Sequence, residues 1–279
     1  MKKITTLFWV FLLLIPLTAK SNTSNWMTSL EDAQKLSKLL NKPILVDFWA
    51  IWCGPCKKMD TDVWEKEDIK LVMENYIPVK IDIDSNPLIA TKYGVRSIPN
   101  IMILDSWGNV LESFVGYRDK TSVAKTLKAF TLNLAIINQA LFILKKDEKN
   151  PYSNLRVAQK YQDASLVLEN DSKNAFIKQS NSYLKSARKV VEKENTEFLE
   201  KVELLEVLNK AYFKSYKPAL KKLEDFSNVC DANKALYFYI KYYCHYFLVA
   251  NDEMEADKKE LLNASANDSF VQKIEFLVK

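Results

Sequence analysis

Val46-Asp47-Phe48-Trp49-Ala50-Ile51-Trp52-Cys53-Gly54-Pro55-Cys56-Lys57 joins two kinds of local structure, and the chemistry sits at the join. With Ile44 and Leu45 ahead of it, the run to Trp49 is almost continuously apolar, the pattern of a strand covered on both faces. From Cys53 onward the chain reads as a helix. A cysteine near a helix N-terminus faces unsatisfied N–H groups and the positive end of the macrodipole, so the Cys53 thiol should ionise below the free value of about 8.5. Gly54 and Pro55 space the second sulfur one turn along, within reach of the first. Cys53 can attack a substrate disulfide and Cys56 can resolve the mixed disulfide, leaving a Cys53–Cys56 bond. A Cys-x-x-Cys pair is also half of a zinc site or a structural staple. Zinc needs two further ligands, and Cys230, Cys244 and His245 have neither paired spacing nor proximity in sequence. No metal and no cofactor is expected.

Outward from this segment the chain alternates. Met27 to Leu40 carries a helical stripe ended by Asn41-Lys42-Pro43, and a polar-rich helical stretch follows Cys56 to about Asn75. Val79 to Ile83, Pro99 to Leu104 and Val110 to Val115 read as strands, the last two joined by a turn at Ser106-Trp107-Gly108-Asn109. This is an α/β sheet sandwiched by helices. The remainder has another composition: all 4 Gly and all 6 Trp precede residue 117, while 10 of the 13 Tyr follow residue 150. With no Gly after Gly116 and only Pro151 and Pro218 as breakers, the C-terminal half should be all helical.

The chain opens with Met1-Lys2-Lys3, an apolar run from Leu7 to Leu17 and small residues at Thr18-Ala19-Lys20-Ser21, the order of a cleavable secretory signal. A periplasmic or otherwise exported location follows, where disulfides persist. No stable membrane span is expected after cleavage, because no apolar run approaches the roughly 18 residues a span needs. Lys plus Arg total 40 against 35 for Asp plus Glu, a balance that argues against a nucleic-acid partner.

The segment Val46 to Lys57 resembles the active-site segment of thioredoxin. Val79-Lys80-Ile81-Asp82-Ile83-Asp84 with Asn86-Pro87, and Lys92-Tyr93-Gly94-Val95-Arg96-Ser97-Ile98-Pro99, are similar to that family in wording and order. The likeness runs from about residue 26 to about residue 132. It implies a thioredoxin-like domain at 22–132, between the signal peptide read at 1–21 and an all-helical domain at 133–279, either a bundle or stacked helical hairpins. Thr61 stands where cytosolic thioredoxin has a helix-kinking Pro, and Lys58 to Trp64 reads more like exported disulfide interchange proteins.

The resemblance implies roles. Ile98-Pro99 corresponds to a cis peptide bond that brings the Ile98 backbone beside the disulfide, ready to pair with an extended substrate strand. Asp47, inside an apolar strand, should have a pKa raised by desolvation and would serve as general base for Cys56. Lys80 is the family's matching cation and would pull that pKa back down. A buried ion pair without catalytic duty is the other reading of the two. Trp49 is expected in the core, Trp52 as an exposed lip of the substrate groove beside Gly54 and Pro55. Gly116 is either a turn residue or a smooth wall of that groove.

In the helical half, Phe198, Val202, Leu205, Leu208 and Tyr212 form an amphipathic stripe. Weaker stripes run from Tyr152 to Leu168 and from Ala175 to Val191, with Asn170 to Asn174 as a break. Tyr237 to Leu248 is apolar or aromatic around almost its full circumference and should be a central, buried helix, with an aromatic wall for peptides or a partner protein as the other reading. His245 is read as a satisfied helix residue, and Cys230 and Cys244 as either a second disulfide or two free thiols.

The expectation is an exported thiol–disulfide oxidoreductase that reduces or exchanges disulfides of client proteins, with the helical half docking clients. The dipeptide Gly54-Pro55 and Ile98 before the proline favour a reductant, which outside the cytoplasm needs either a membrane electron donor for recharging or a role in which oxidation by the surroundings is the intended recharge. The alternatives are a disulfide oxidant or isomerase using the same residues, and a non-catalytic binding protein on a thioredoxin-like platform.

Overall fold

A computed structural model describes residues 26–192, 194–264 and 269–278. The expected signal peptide at 1–21 lies outside these residues. Helix α1 (Leu30–Leu40) is capped at its start by Ser29, whose hydroxyl accepts from the Asp32 N–H, and ended by Asn41 in the left-handed conformation. Strand β1 (Ile44–Trp49) leads into α2 (Gly54–Met59), with Pro55 in its first turn, where a missing N–H costs nothing. After α3 (Glu67–Met73) come β2 (Ile77–Asp82), α4 (Pro87–Lys92), β3 (Asn100–Leu104), β4 (Val110–Val115) and α5 (Lys120–Ala129).

The sheet order is β2-β1-β3-β4, with β1 and β2 parallel and the other pairs antiparallel. Strand β1 is therefore central, and its residues from Ile44 to Phe48 are all buried, as its nearly continuous apolar run requires. Strand β2 begins at Ile77 rather than Val79 and stops at Asp82, because the register pairs Ile44 with Ile77 and Trp49 with Asp82. The helical stretch expected from Cys56 to Asn75 is interrupted. Residues Asp60–Trp64 form a π-helical turn between α2 and α3, at the place where Thr61 stands instead of the family's proline.

The C-terminal half is helical: α6 (Ala135–Leu144), α7 (Pro151–Ser165), α8 (Asn170–Val190), α9 (Thr196–Tyr212), α10 (Tyr216–Leu223), α11 (Lys234–Leu248), α12 (Asn251–Ala264) and α13 (Ser269–Val278). The break expected at Asn170 to Asn174 is the first turn of α8, where Asp171 complements the helix dipole. The aromatic helix α11 is not buried all round. Tyr239, Tyr242, Tyr243 and Cys244 are buried, whereas Phe247 is exposed and Tyr237 and Phe238 are half-covered, since the helices packed on α11 leave one side open.

One core lies between α1 and the β1–β2 side of the sheet, around Phe48, Val79 and Ile81. A second lies on the opposite face and continues past residue 132: Leu45, Ile101, Ile103 and Leu127 share it with Leu134, Ile137, Tyr161 and Phe176. The third belongs to the helical half, from Leu155 to Ile274. The sheet is thus roofed by α6, α7 and α8 as well as by its own helices.

Candidate active site at the Cys53–Cys56 pair

Cys53 is the N-cap of α2, with extended backbone, and its Sγ accepts a hydrogen bond from the Cys56 N–H at 3.2 Å. The strand-to-helix handover therefore delivers an amide N–H to the sulfur that must carry negative charge, the geometry that favours a thiolate once the bond is reduced. The two sulfurs form a disulfide. Both cysteines are buried, while Ile51, Trp52, Gly54 and Pro55 around them are exposed, so a partner meets the disulfide through a small opening. Trp52 is 64% exposed, with its indole N–H held by the Asp84 carboxylate at 2.8 Å. Its exposure is as expected. Trp49 is only half-buried, not core: it packs with Ile83 and Ile98 against the cysteine pair, and the Lys80 ammonium lies 5.5 Å from its ring.

The Ile98–Pro99 bond is cis. Ile98 packs against the cysteines, and the Pro99 carbonyl accepts from the Gly116 N–H at 2.8 Å. Gly116 has φ of +84°, a left-handed conformation that side chains resist, and a Cβ there would meet nothing within 4 Å. Backbone conformation, not room, is what Gly116 supplies.

Asp47 is 1% exposed in the middle of β1. One carboxylate oxygen accepts from the Trp64 indole N–H at 3.1 Å, and the other has no hydrogen-bond partner. Burial raises the Asp47 pKa from 3.8 to about 7, against the opposing pull of Lys80 and with a further push from the negative charge of Asp60. Lys80 pairs with Asp47 across the β1–β2 register, yet its ammonium stands 3.7 Å from Asp47 and in direct contact with Asp60. The cation is shared, and Asp60 holds the larger part. The backbone N–H of Asp60 bonds the Cys56 carbonyl, so this carboxylate is tied to the redox helix itself.

Asp60, Trp64 and Asp84 lie at the site, and the sequence reading gave them no role there. Asp60 had a signal, since it lies four residues after Cys56 on a helical stretch and so one turn along. Trp64 and Asp84 had none, because their partners lie far away in sequence.

The other sulfurs are elsewhere. Cys230 and Cys244 are free thiols and not a second disulfide. Cys230 sits before a short turn, its N–H bonded to Glu200, whereas Cys244 faces the helical core, where burial pushes its thiol up to about 12. Such a thiol is a poor nucleophile. His245 bonds the buried carboxylate of Asp257 at 2.6 Å, a satisfied helix residue as expected. Among the described residues no cluster of His, Cys, Asp and Glu could hold a metal ion.

A family model described as Thioredoxin matches residues 20–129. The chain is 43% identical over 91 residues to a thioredoxin of Pyropia yezoensis, a match covering 32% of this chain and 81% of that protein. The chain belongs to the thioredoxin family. It is also 38% identical over 107 residues to a thioredoxin of Porphyra purpurea, covering 37% of this chain and 96% of the relative. Among solved structures, thioredoxin NaTrxh from Nicotiana alata is 32% identical and covers 39% of this chain and 88% of its own, with a TM-score of 0.31. Thiol–disulfide oxidoreduction, the family's chemistry, is carried here by the Cys53–Cys56 pair. Helices α6 to α13 lie beyond the matched family model.

Proposed function

We propose that this protein is an exported thiol–disulfide oxidoreductase that reduces or exchanges disulfides of client proteins, with its helical half docking them. The observation that carries the reading is the Cys53 sulfur at the helix cap, bonded to the Cys56 N–H, with the cis-Pro99 loop packed beside it. In the reduced protein the Cys53 thiolate attacks one sulfur of a client disulfide. A Cys53–client bond forms, the client S–S bond breaks and one client thiolate leaves. Asp47 takes the Cys56 proton, the Cys56 thiolate attacks Cys53, and the second client thiol is released with that proton. Two electrons have passed to the client, and the protein holds the Cys53–Cys56 disulfide. An Asp47 pKa of about 7 suits a group that must accept and return a proton near neutrality.

Export rests on the basic, apolar and small-residue order of the first 21 residues. In an oxidising compartment the disulfide must be reduced again, so a membrane protein carrying reducing equivalents outward is the electron donor. Ile98 and the absence of His between the cysteines support the reductant direction.

The decisive experiment is a trap. A Cys56→Ala variant cannot resolve the mixed disulfide, so it should accumulate clients bound through Cys53, and a Cys53→Ala/Cys56→Ala variant should accumulate none. Capture through Cys230 or Cys244 alone would overturn the assignment of the site.

A further inference from the structure

We propose that the free edge of β4, facing α8 across a cleft, is a second docking site of this oxidoreductase, and that its occupant is the extended segment of a client chain flanking the disulfide to be reduced. The inference rests on the redox function proposed above and names how the helical half would take part in it.

The cleft encloses about 510 Å³. One wall is the strand from Val110 to Phe114 with Arg118, and the other is α8 at Asp171, Asn174, Lys178 and Gln179. Which backbone groups line it follows from the ladder. Gly116 donates to Pro99, and β3 and β4 run in regular antiparallel register from Asn100–Val115 to Ile103–Glu112. Bonded and non-bonded pairs alternate along such a ladder, so Phe114 and Glu112 bond β3, whereas the N–H and C=O groups of Ser113 and Val115 point away from the sheet. The side chains agree with this parity. The Ser113 N–H donates to the Glu112 carboxylate at 2.8 Å, and the Val110 carbonyl accepts from the Gln179 amide at 2.8 Å.

Two side chains therefore stand where a neighbouring strand would bond. Both contacts are exposed and exchangeable, and an incoming backbone replaces each with an equivalent bond. The occupant's chemistry follows from the lining. Glu112 and Asp171 balance Arg118 and Lys178, so the cleft selects no net charge, and its directional groups are those of a polypeptide backbone. The connection to the redox site is continuous. Strand β4 runs into Gly116, bonded to Pro99, and then into Tyr117, which bonds Asp62 and carries Lys58 over its ring at 4.7 Å. Lys58 is two residues beyond Cys56.

The test uses the full chain and two substrates: a synthetic peptide with a central disulfide and β-forming flanks of about six residues, the length of a typical strand, and the small aromatic disulfide DTNB. Ser113→Pro removes an N–H that does not bond β3, and Lys178→Trp fills the cleft from an exposed position on the opposite wall. Each variant is first confirmed to be folded by its thermal transition. The ratio of kcat/KM on the peptide to that on DTNB should fall about fivefold for each backbone bond lost, and N-methylating the peptide's alternate amides should produce the same fall on the unaltered protein. A ratio within twofold of the parent in both folded variants overturns the proposal. So does sedimentation showing a dimer that Ser113→Pro dissociates, since the occupant is then a second copy. Failure of the parent to reduce DTNB strikes the redox function instead, because that substrate has no chain to dock.

Discussion

Asp47 within β1 and Asp105 just beyond β3 are both buried aspartates at the same sheet, and their surroundings could hardly differ more. Asp105 accepts from the Trp107 N–H at 2.8 Å, the Asn109 N–H at 2.9 Å, the Asn109 side-chain amide at 2.7 Å and the Tyr161 hydroxyl. Asp47 accepts from Trp64 alone and leaves one oxygen bare. Burial raises the pKa of both. Four donors give Asp105 a fixed place, and because Tyr161 belongs to α7, that place fastens the helical half to the sheet. A bare oxygen beside a shared lysine leaves Asp47 free to change protonation state. Burial is common to the two acids; what separates them is the number of donors, four on Asp105 and one on Asp47.

The sharpest way to break this comparison is Asp105→Ala. It strands the buried Tyr161 hydroxyl and takes the acceptor from the Trp107 and Asn109 backbone N–H groups, and the cost should be about 3–5 kcal/mol, read as a lowered denaturant midpoint, with the disulfide-exchange rate of the remaining folded protein retained. A loss of rate without loss of stability would reverse the roles assigned to the two acids.

Asp47→Asn should do the opposite, slowing resolution of the mixed disulfide by about 10²-fold, measured by stopped-flow exchange with a model disulfide. Its stability effect depends on pH. The folded carboxyl holds its proton up to about pH 7 and the unfolded one releases it near 3.8, so the wild type loses stability as pH rises from about 4 through 7. The Asn variant should be more stable than wild type at pH 8, by on the order of 4 kcal/mol, and the gain should vanish near pH 4. A gain independent of pH would show that Asp47 is not the titrating group.

Tyr161→Phe removes one donor from Asp105 and should cost about 1–2 kcal/mol, visible as a lowered thermal midpoint. Asp60→Asn should have the smallest effect. It removes a negative charge that raises the Asp47 pKa and frees Lys80 for Asp47, so the pH midpoint of exchange should move down by roughly one unit. An upward shift would contradict the sharing of Lys80.

The redox motif and the elements around it were legible because each is a local pattern. The apolar run of β1, the N-terminal helix position of Cys53 and the Gly-Pro spacing require only neighbouring residues. The cis bond at Pro99 and the pairing of Asp47 with Lys80 were legible only through resemblance, since no local periodicity brings β1 and β2 into register. Residues 170–174 misled because a polar run of Asn, Asp and Ser suits a loop and the first turn of a helix equally well. The aromatic run of α11 misled because composition reports what can be buried, not how many neighbours arrive to bury it.

By itself, the amino-acid sequence determined the redox-active cysteine pair, the α/β character of the first half and the helical character of the second, since periodicity and spacing act over a few residues. Only the tertiary structure decided that Trp64 bonds Asp47 across 17 residues and that Tyr161 closes on Asp105 across 56. It alone drew Lys80 toward Asp60 and set the open edge of β4 opposite α8. Such pairings depend on which faces meet when the chain is packed, and a one-dimensional pattern does not encode the choice among donors that burial brings together.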